Sequence, residues 1–221
     1  MNLRRTIASL LQANRLDEIE AMADTTRGLT SALLSRLYQA DACDRWRAAE
    51  AVGRVAGRLW AQQPGQVERL LAKLVWALND ESGATGWGVP QALGEVVRND
   101  AKLARDYLPL LQSYLDSEDI GLGTDILVHG TVYAIGRVGE AHPELAGTAG
   151  AKLERLLHTS DATTRGLAAW ALGRMQAPGA WPLLVGRLTE DDAAVQLYEG
   201  GNMRETTVGQ IAHQTLQRMA V

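Results

Sequence analysis

The chain has 221 residues, 46% of them hydrophobic, and a formal net charge of −4. Such a chain can bury a substantial core, and its acidic balance argues against general nucleic-acid binding, which shows as a basic domain or face. The single cysteine, Cys43, excludes an internal disulfide framework and fits a reducing, cytoplasmic setting. In chain order, the N-terminal apolar run is interrupted by Gln12, Asn14 and Arg15, so it does not read as a signal peptide. No stretch approaches the roughly 18 apolar residues of a membrane span. Residues 3 to about 38 read as three short helices: Leu3 to Leu11, Leu16 to Ala23 and Leu29 to Tyr38, with Thr25 or Thr26 as a cap.

Downstream, a short box recurs: Ala51-Val52-Gly53-Arg54, Ala92-Leu93-Gly94-Glu95, Ala134-Ile135-Gly136-Arg137 and Ala171-Leu172-Gly173-Arg174. A weaker copy, Gln210-Ile211-Ala212-His213, puts alanine at the glycine position. The phase residues 53, 94, 136, 173 and 212 are spaced by 41, 42, 37 and 39 residues. A period near 40 marks a repeat architecture. Between boxes lie leucines at helical spacing, such as Leu70, Leu71, Leu74 and Leu78, or Leu153, Leu156 and Leu157. Each repeat therefore reads as two helices, the second carrying the box. Glycine inside a helix costs about 1 kcal/mol relative to alanine. Four at one phase imply close approach of a neighbouring helix. Pro64, Pro109, Pro143 and Pro182 read as residues at or just before the first helix of successive repeats.

Asp41 and Arg45 precede Gly53 by 12 and 8 residues, and Asp161 and Arg165 precede Gly173 by the same offsets. The aspartate suits a helix cap, and the arginine a pairing with it or with its counterpart in the next repeat. The pattern from Asp161 to Arg174 resembles the HEAT-like repeat, in the variety associated with phycobilisome lyases, over about residues 29 to 220. That resemblance implies an all-α, right-handed α-α superhelix of the HEAT/armadillo kind with about five helical pairs. A single domain 1–221 is expected, with a cap over 1–38 and repeats over about 33–62, 66–98, 103–140, 143–176 and 179–220. The resemblance is nearly silent on function, because one solenoid fold hosts many roles.

Function is sought where the copies differ. From the last leucine of the first helix to the box residue, repeats 1, 2 and 4 need 16 residues (Leu37 to Gly53, Leu78 to Gly94, Leu157 to Gly173). Repeat 3 needs 21 (Leu115 to Gly136) and repeat 5 needs 24 (Leu188 to Ala212). The turns of repeats 2, 3 and 5 are rich in Gly and acidic residues and would stack along one ridge; insertions on one face of a repeat array are often its binding face. Trp87, between Gly86 and Gly88, reads either as a plug against the neighbouring repeat or as a contact for a partner.

The candidate partner-binding residues are Asn79, Asp80, Glu81 and Trp87, then Asp125, His129, Tyr133, Arg137 and Trp170, with Glu199, Asn202 and Arg204 from the last repeat. Aromatic and arginine side chains are the usual anchors of protein interfaces. The box arginines Arg54, Arg137 and Arg174 read either as a recognition stripe or as internally paired side chains. No loop has calcium-hand spacing and no Cys/His cluster suits zinc. None of the four histidines is followed by Glu, as the paired His-Glu dipeptides of a deoxyhypusine-hydroxylase-like di-iron site would require. No catalytic residue, metal or cofactor is therefore assigned. The expectation is a non-enzymatic cytoplasmic scaffold or adaptor for a protein partner, without nucleic-acid or membrane binding. The alternatives are a small-ligand or metal-binding enzyme or sensor in the Gly/Asp-rich loops and, behind it, a HEAT-like DNA glycosylase.

Overall fold

The computed structural model describes residues 2–79, 86–116, 125–145, 147–176, 179 and 181–219, with only the backbone at 219. The described residues divide into two compact units, 1–100 with 198–203, and 101–197 with 204–221. In the first unit, α1 (Leu3–Gln12), α2 (Leu16–Ala21) and α3 (Leu29–Leu34) form the N-terminal cap, followed by α4 (Ala42–Trp60), α5 (Pro64–Leu78) and α6 (Val89–Val97). In the second, α7 (Ala101–Ser113) and α8 (Asp125–Ala141) lead through a 3-10 turn (Pro143–Leu145) to α9 (Gly147–Leu156) and α10 (Ala162–Met175). Then come α11 (Trp181–Gly186), the strands β1 (Ala194–Glu199) and β2 (Asn202–Thr207), and α12 (Val208–Met219). The three cap helices start where the sequence puts them, but α2 ends at Ala21 and α3 at Leu34, short of the expected Ala23 and Tyr38. The cap residue of α3, however, is Gly28 at φ +79° and neither Thr25 nor Thr26; only glycine adopts that backbone without penalty.

Three of the four box glycines, Gly53, Gly136 and Gly173, are contact points between second helices. Gly53 of α4 lies against Glu95 of α6, with no room for a Cβ. One turn on, Gly57 meets the Asn99 amide, whose Nδ2 donates to the Gly53 carbonyl at 3.0 Å. In the second unit a Cβ on Gly136 would come within 2.7 Å of Trp170 and 2.9 Å of Ala171 Cβ on α10. One on Gly173 would come within 2.6 Å of Thr215 on α12, whose hydroxyl donates to Ala169 O at 3.2 Å. Twice, then, a side-chain donor from the facing helix or from the turn just beyond it reaches a backbone carbonyl of the box helix. The packing reason for the glycines is a physical one: helix backbones approach where no side chain intervenes.

Three of the four prolines sit as the sequence suggests: Pro64 opens α5, Pro143 precedes α9, and Pro182 is the second residue of α11. Pro109 does not. It lies inside α7, on the exposed side of the helix, where solvent can reach the Arg105 carbonyl that loses its amide partner. The enlarged turn of repeat 5 is a hairpin. Gly200 and Gly201, at φ +58° and +79°, form the two-residue connection whose twist matches paired strands. Val195, Leu197 and Tyr198 of β1 are buried.

Candidate partner-binding surfaces

In the first unit α4 carries Trp46, Glu50 and Arg54 at successive turns of one face. The hairpin tip covers the first two. Tyr198 stacks on Trp46, with ring centroids 5.4 Å apart, and its hydroxyl donates to Glu50 Oε2 at 2.6 Å. Burial and the Glu50 carboxylate push the phenol's pKa above its ordinary value, so it remains a neutral donor. Arg54 holds the other Glu50 oxygen at 2.7 Å and Asp17 at 2.5 Å. Burial opposes that charge, but the two carboxylates outweigh it and raise the guanidinium's pKa. Arg47 secures the turn itself, donating to Gly201 O at 2.5 Å, to Leu11 O at 3.0 Å and to Asn202 Oδ1 at 3.2 Å. Asn14 adds a bond to Gly200 O at 3.3 Å.

The turn preceding α4 holds the Asp/Arg motif. Asp41 caps the helix, accepting from the Asp44 N–H at 2.7 Å. Arg45 turns back to the carbonyls of Gln39 and Ala40, at 2.7 and 3.2 Å. Its guanidinium lies 5.6 Å from the ring centroid of Trp87. Trp87 reaches this place because Gly88 passes close to Arg45 and donates its N–H to Leu37 O at 3.0 Å. The indole remains 44% exposed. It is thus both packed and presented. Asn79 ends α5 and bonds its own helix, Nδ2 to Val75 O at 2.8 Å, while Asp80 and Glu81 lie outside the described residues.

The second unit repeats the motif with a different cover. Asp161 caps α10 by accepting from the Thr164 N–H at 2.7 Å, and Arg165 donates to Thr159 O and Ser160 O at 2.9 and 2.8 Å. Where Arg45 has an indole over it, Arg165 has the Asp191 carboxylate at 2.8 Å. So the arginine reaches back to the turn rather than to its own capping aspartate, and the next repeat supplies its cover.

The structure brings His129, Tyr133, Arg137 and Trp170 together. The first three lie one turn apart on α8, where His129 Nε2 sits 2.7 Å from Asp161 Oδ2. Tyr133 stacks on Trp170 at 5.2 Å and 8°, and both rings are buried. Arg174 lies over the same indole at 5.2 Å and pairs with Glu140, which Arg137 also holds, at 2.6 Å. Asp125, the first residue of α8, is exposed. Arg204 bonds Gln214 at 3.2 Å. Of the last-repeat candidates, Asn202 and the half-buried Glu199 stand at the hairpin tip in the first unit.

The box arginines are thus internally paired. The residues that hold the hairpin tip, Arg47 and Glu50 above all, were not singled out from sequence. The signal available was the Gly200-Gly201 pair between the alternating residues Val195 and Leu197 and the following strand. Among the described residues, no group of three or more His, Cys, Asp or Glu side chains is placed to hold a metal. The chemistry on offer is stacking and charge-assisted hydrogen bonding.

An engineered protein aligns with 100% of this chain and 97% of its own, at 15% identity and a TM-score of 0.50. A designed armadillo repeat protein in complex with the peptide (KR)4 aligns with 99% of both chains, also at 15% identity and a TM-score of 0.50. The fold is an all-α solenoid of the HEAT/armadillo kind. An uncharacterized protein of Archaeoglobus fulgidus is 26% identical over 185 residues, 82% of this chain and 92% of that protein. No family model matches the chain. Among the described residues, no helix is long and apolar enough to cross a membrane.

Proposed function

We propose that the chain is a non-enzymatic scaffold or adaptor that binds a protein partner through the ridge of inter-helix turns and the adjoining faces of the second helices. The observation that carries this reading is Trp87. A large amphipathic ring is held at a turn by Arg45 and two flanking glycines, yet 44% of it faces solvent. Tryptophan in such a setting is the residue type that dominates protein-interface energetics. Asn79, Asp80, Glu81 and Trp87 form one set of contacts, and Asp125, His129, Tyr133, Arg137 and Trp170 a second. Glu199 and Asn202 add to the contacts of the first unit and Arg204 to those of the second. Since Tyr133 and Trp170 are buried, their part is to hold the second-helix face rigid. That the designed armadillo neighbour is complexed with a peptide supports the idea that a fold of this kind can take one.

The same reading keeps the repeats as the phycobilisome-lyase variety of HEAT repeat, in one domain of about five repeats, working in the cytoplasm. The test is a pull-down from the native organism's lysate, read by mass spectrometry. The wild type is compared with a variant carrying Asp80→Ala, Glu81→Ala and Trp87→Ala, once circular dichroism shows both are folded. A partner retained by the wild type and lost from the variant supports the ridge. Identical captures remove its basis.

A further inference from the structure

On α5, Arg69, Lys73 and Trp76 stand at i, i+4 and i+7, one exposed stripe of the helix. Trp76 is 70% exposed and Tyr38, across from it, 48%. Between these two rings lies an apolar groove of about 230 Å³, floored by Leu37, Leu74 and Ala77. Lys73 lines both this groove and a polar one of about 480 Å³ bearing Arg27, Arg69 and Gln66. Among the described residues, Arg27, Arg69 and Lys73 enter no ion pair, whereas Asp24, the acid lining the polar groove, is held by Arg58 at 2.6 Å. On a chain of net charge −4, this is a basic strip leading to an aromatic notch.

We propose that this valley between α3 and α5 docks an acidic peptide segment, with one large apolar side chain seated between Tyr38 and Trp76 and carboxylates along Lys73, Arg69 and Arg27. The notch alone, at about 230 Å³, suits one side-chain anchor, since whole small-molecule sites are larger and usually enclose about 300–1,000 Å³. The unpaired cations decide the sign of the partner, because complementary charge steers and registers an encounter. The notch is recessed, its floor formed by the buried Leu37 and Leu74. An anionic bilayer would instead call for apolar residues that protrude. The notch adjoins Trp87, since Val89 lines it and Gly86 and Gly88 pack on Tyr38 and Leu37. The basic strip along Lys73, Arg69 and Arg27 includes no residue of the ridge, so charge reversal there tests the valley apart from the ridge.

The test pans a phage library of random 12-residue peptides on the full-length chain. Enriched peptides should carry an aromatic residue or leucine beside two or more acids. Their affinity, measured by fluorescence polarisation, should fall at least about tenfold in Arg69→Glu/Lys73→Glu and in Trp76→Ser, and drop as salt is raised. The substituted side chains are solvent-exposed, and the charge-reversal pair carries the test even if Trp76→Ser misfolds. Four outcomes overturn the proposal: no enrichment, enriched peptides without acids, affinity indifferent to the charge reversal, or those same substitutions instead abolishing self-association or sedimentation with phosphatidylserine vesicles.

Discussion

Tyr198 reaches from the hairpin turn to α4, stacking on Trp46 and donating its hydroxyl to Glu50 at 2.6 Å. Glu50 is mostly buried and shared with Arg54, so the phenol supplies a proton donor to a carboxylate that water reaches poorly. Tyr198→Phe keeps the stack and removes that donor. A hydrogen bond to a charged group contributes about 1.5–3 kcal/mol. The expected outcome is a loss of that order, read as faster amide exchange at Tyr198 to Met203 and a lower urea midpoint.

The same contact makes a pH prediction. The Tyr198 phenol is held above its ordinary value of 10.0, and a group whose native pKa is raised stabilises the fold below its unfolded value. Its contribution is complete below about pH 10 and is lost as pH rises beyond it. A urea-midpoint series on the alkaline side should therefore fall more steeply for the wild type than for Tyr198→Phe.

At Asp161 the sign is reversed. Burial works to raise its pKa, but bonds from Thr164 and His129 prevail and hold it below 3.8. Its contribution is present above that value and is lost as pH falls through the native one. Asp161→Ala removes the cap of α10 and should cost about 1 kcal/mol at neutral pH. That difference should shrink when the two proteins are compared in acid. An unchanged midpoint for the variant at pH 7 would mean that the cap is not stabilising α10.

Gly136→Ala sets two effects against each other. Helix propensity gains about 1 kcal/mol, while the new Cβ would stand 2.7 Å from the buried Trp170 and 2.9 Å from Ala171 Cβ. Overpacking of that kind costs about 1–3 kcal/mol, and neither contact is the free end of a flexible chain. The expected outcome is a net destabilisation of up to about 2 kcal/mol in urea unfolding.

The helical pairs were legible because repetition multiplies a weak signal: one glycine in a helix says little, but Gly53, Gly136 and Gly173 at one phase require a close neighbour, and each has one. The Asp41 and Asp161 caps were legible for the same reason. The destinations of Arg45 and Arg165 were legible only in part: Arg165 takes the expected carboxylate of the next repeat, Asp191, but spacing alone does not show that both arginines also turn back to two carbonyls. Pro109 was misplaced because a proline on an exposed helical face is tolerated where one facing the core would not be. The hairpin was missed because its strands are short and its glycines resemble any turn. Exposure is likewise invisible to spacing: Trp76 falls among the regular leucines of α5, yet it points to solvent while Trp170, inside a box, is buried.

Trp87→Ala removes a cation–π contact with Arg45 worth about 0.5–1 kcal/mol at an exposed site, so the protein should stay folded. The most direct measurement therefore places a photo-crosslinking amino acid at position 87 in cells of the native organism, with position 62, exposed just beyond α4, as the control. A binding ridge predicts a discrete adduct with one protein from position 87 and none from position 62. No adduct at 87, or the same smear from both positions, would contradict the assignment of this surface to a protein partner.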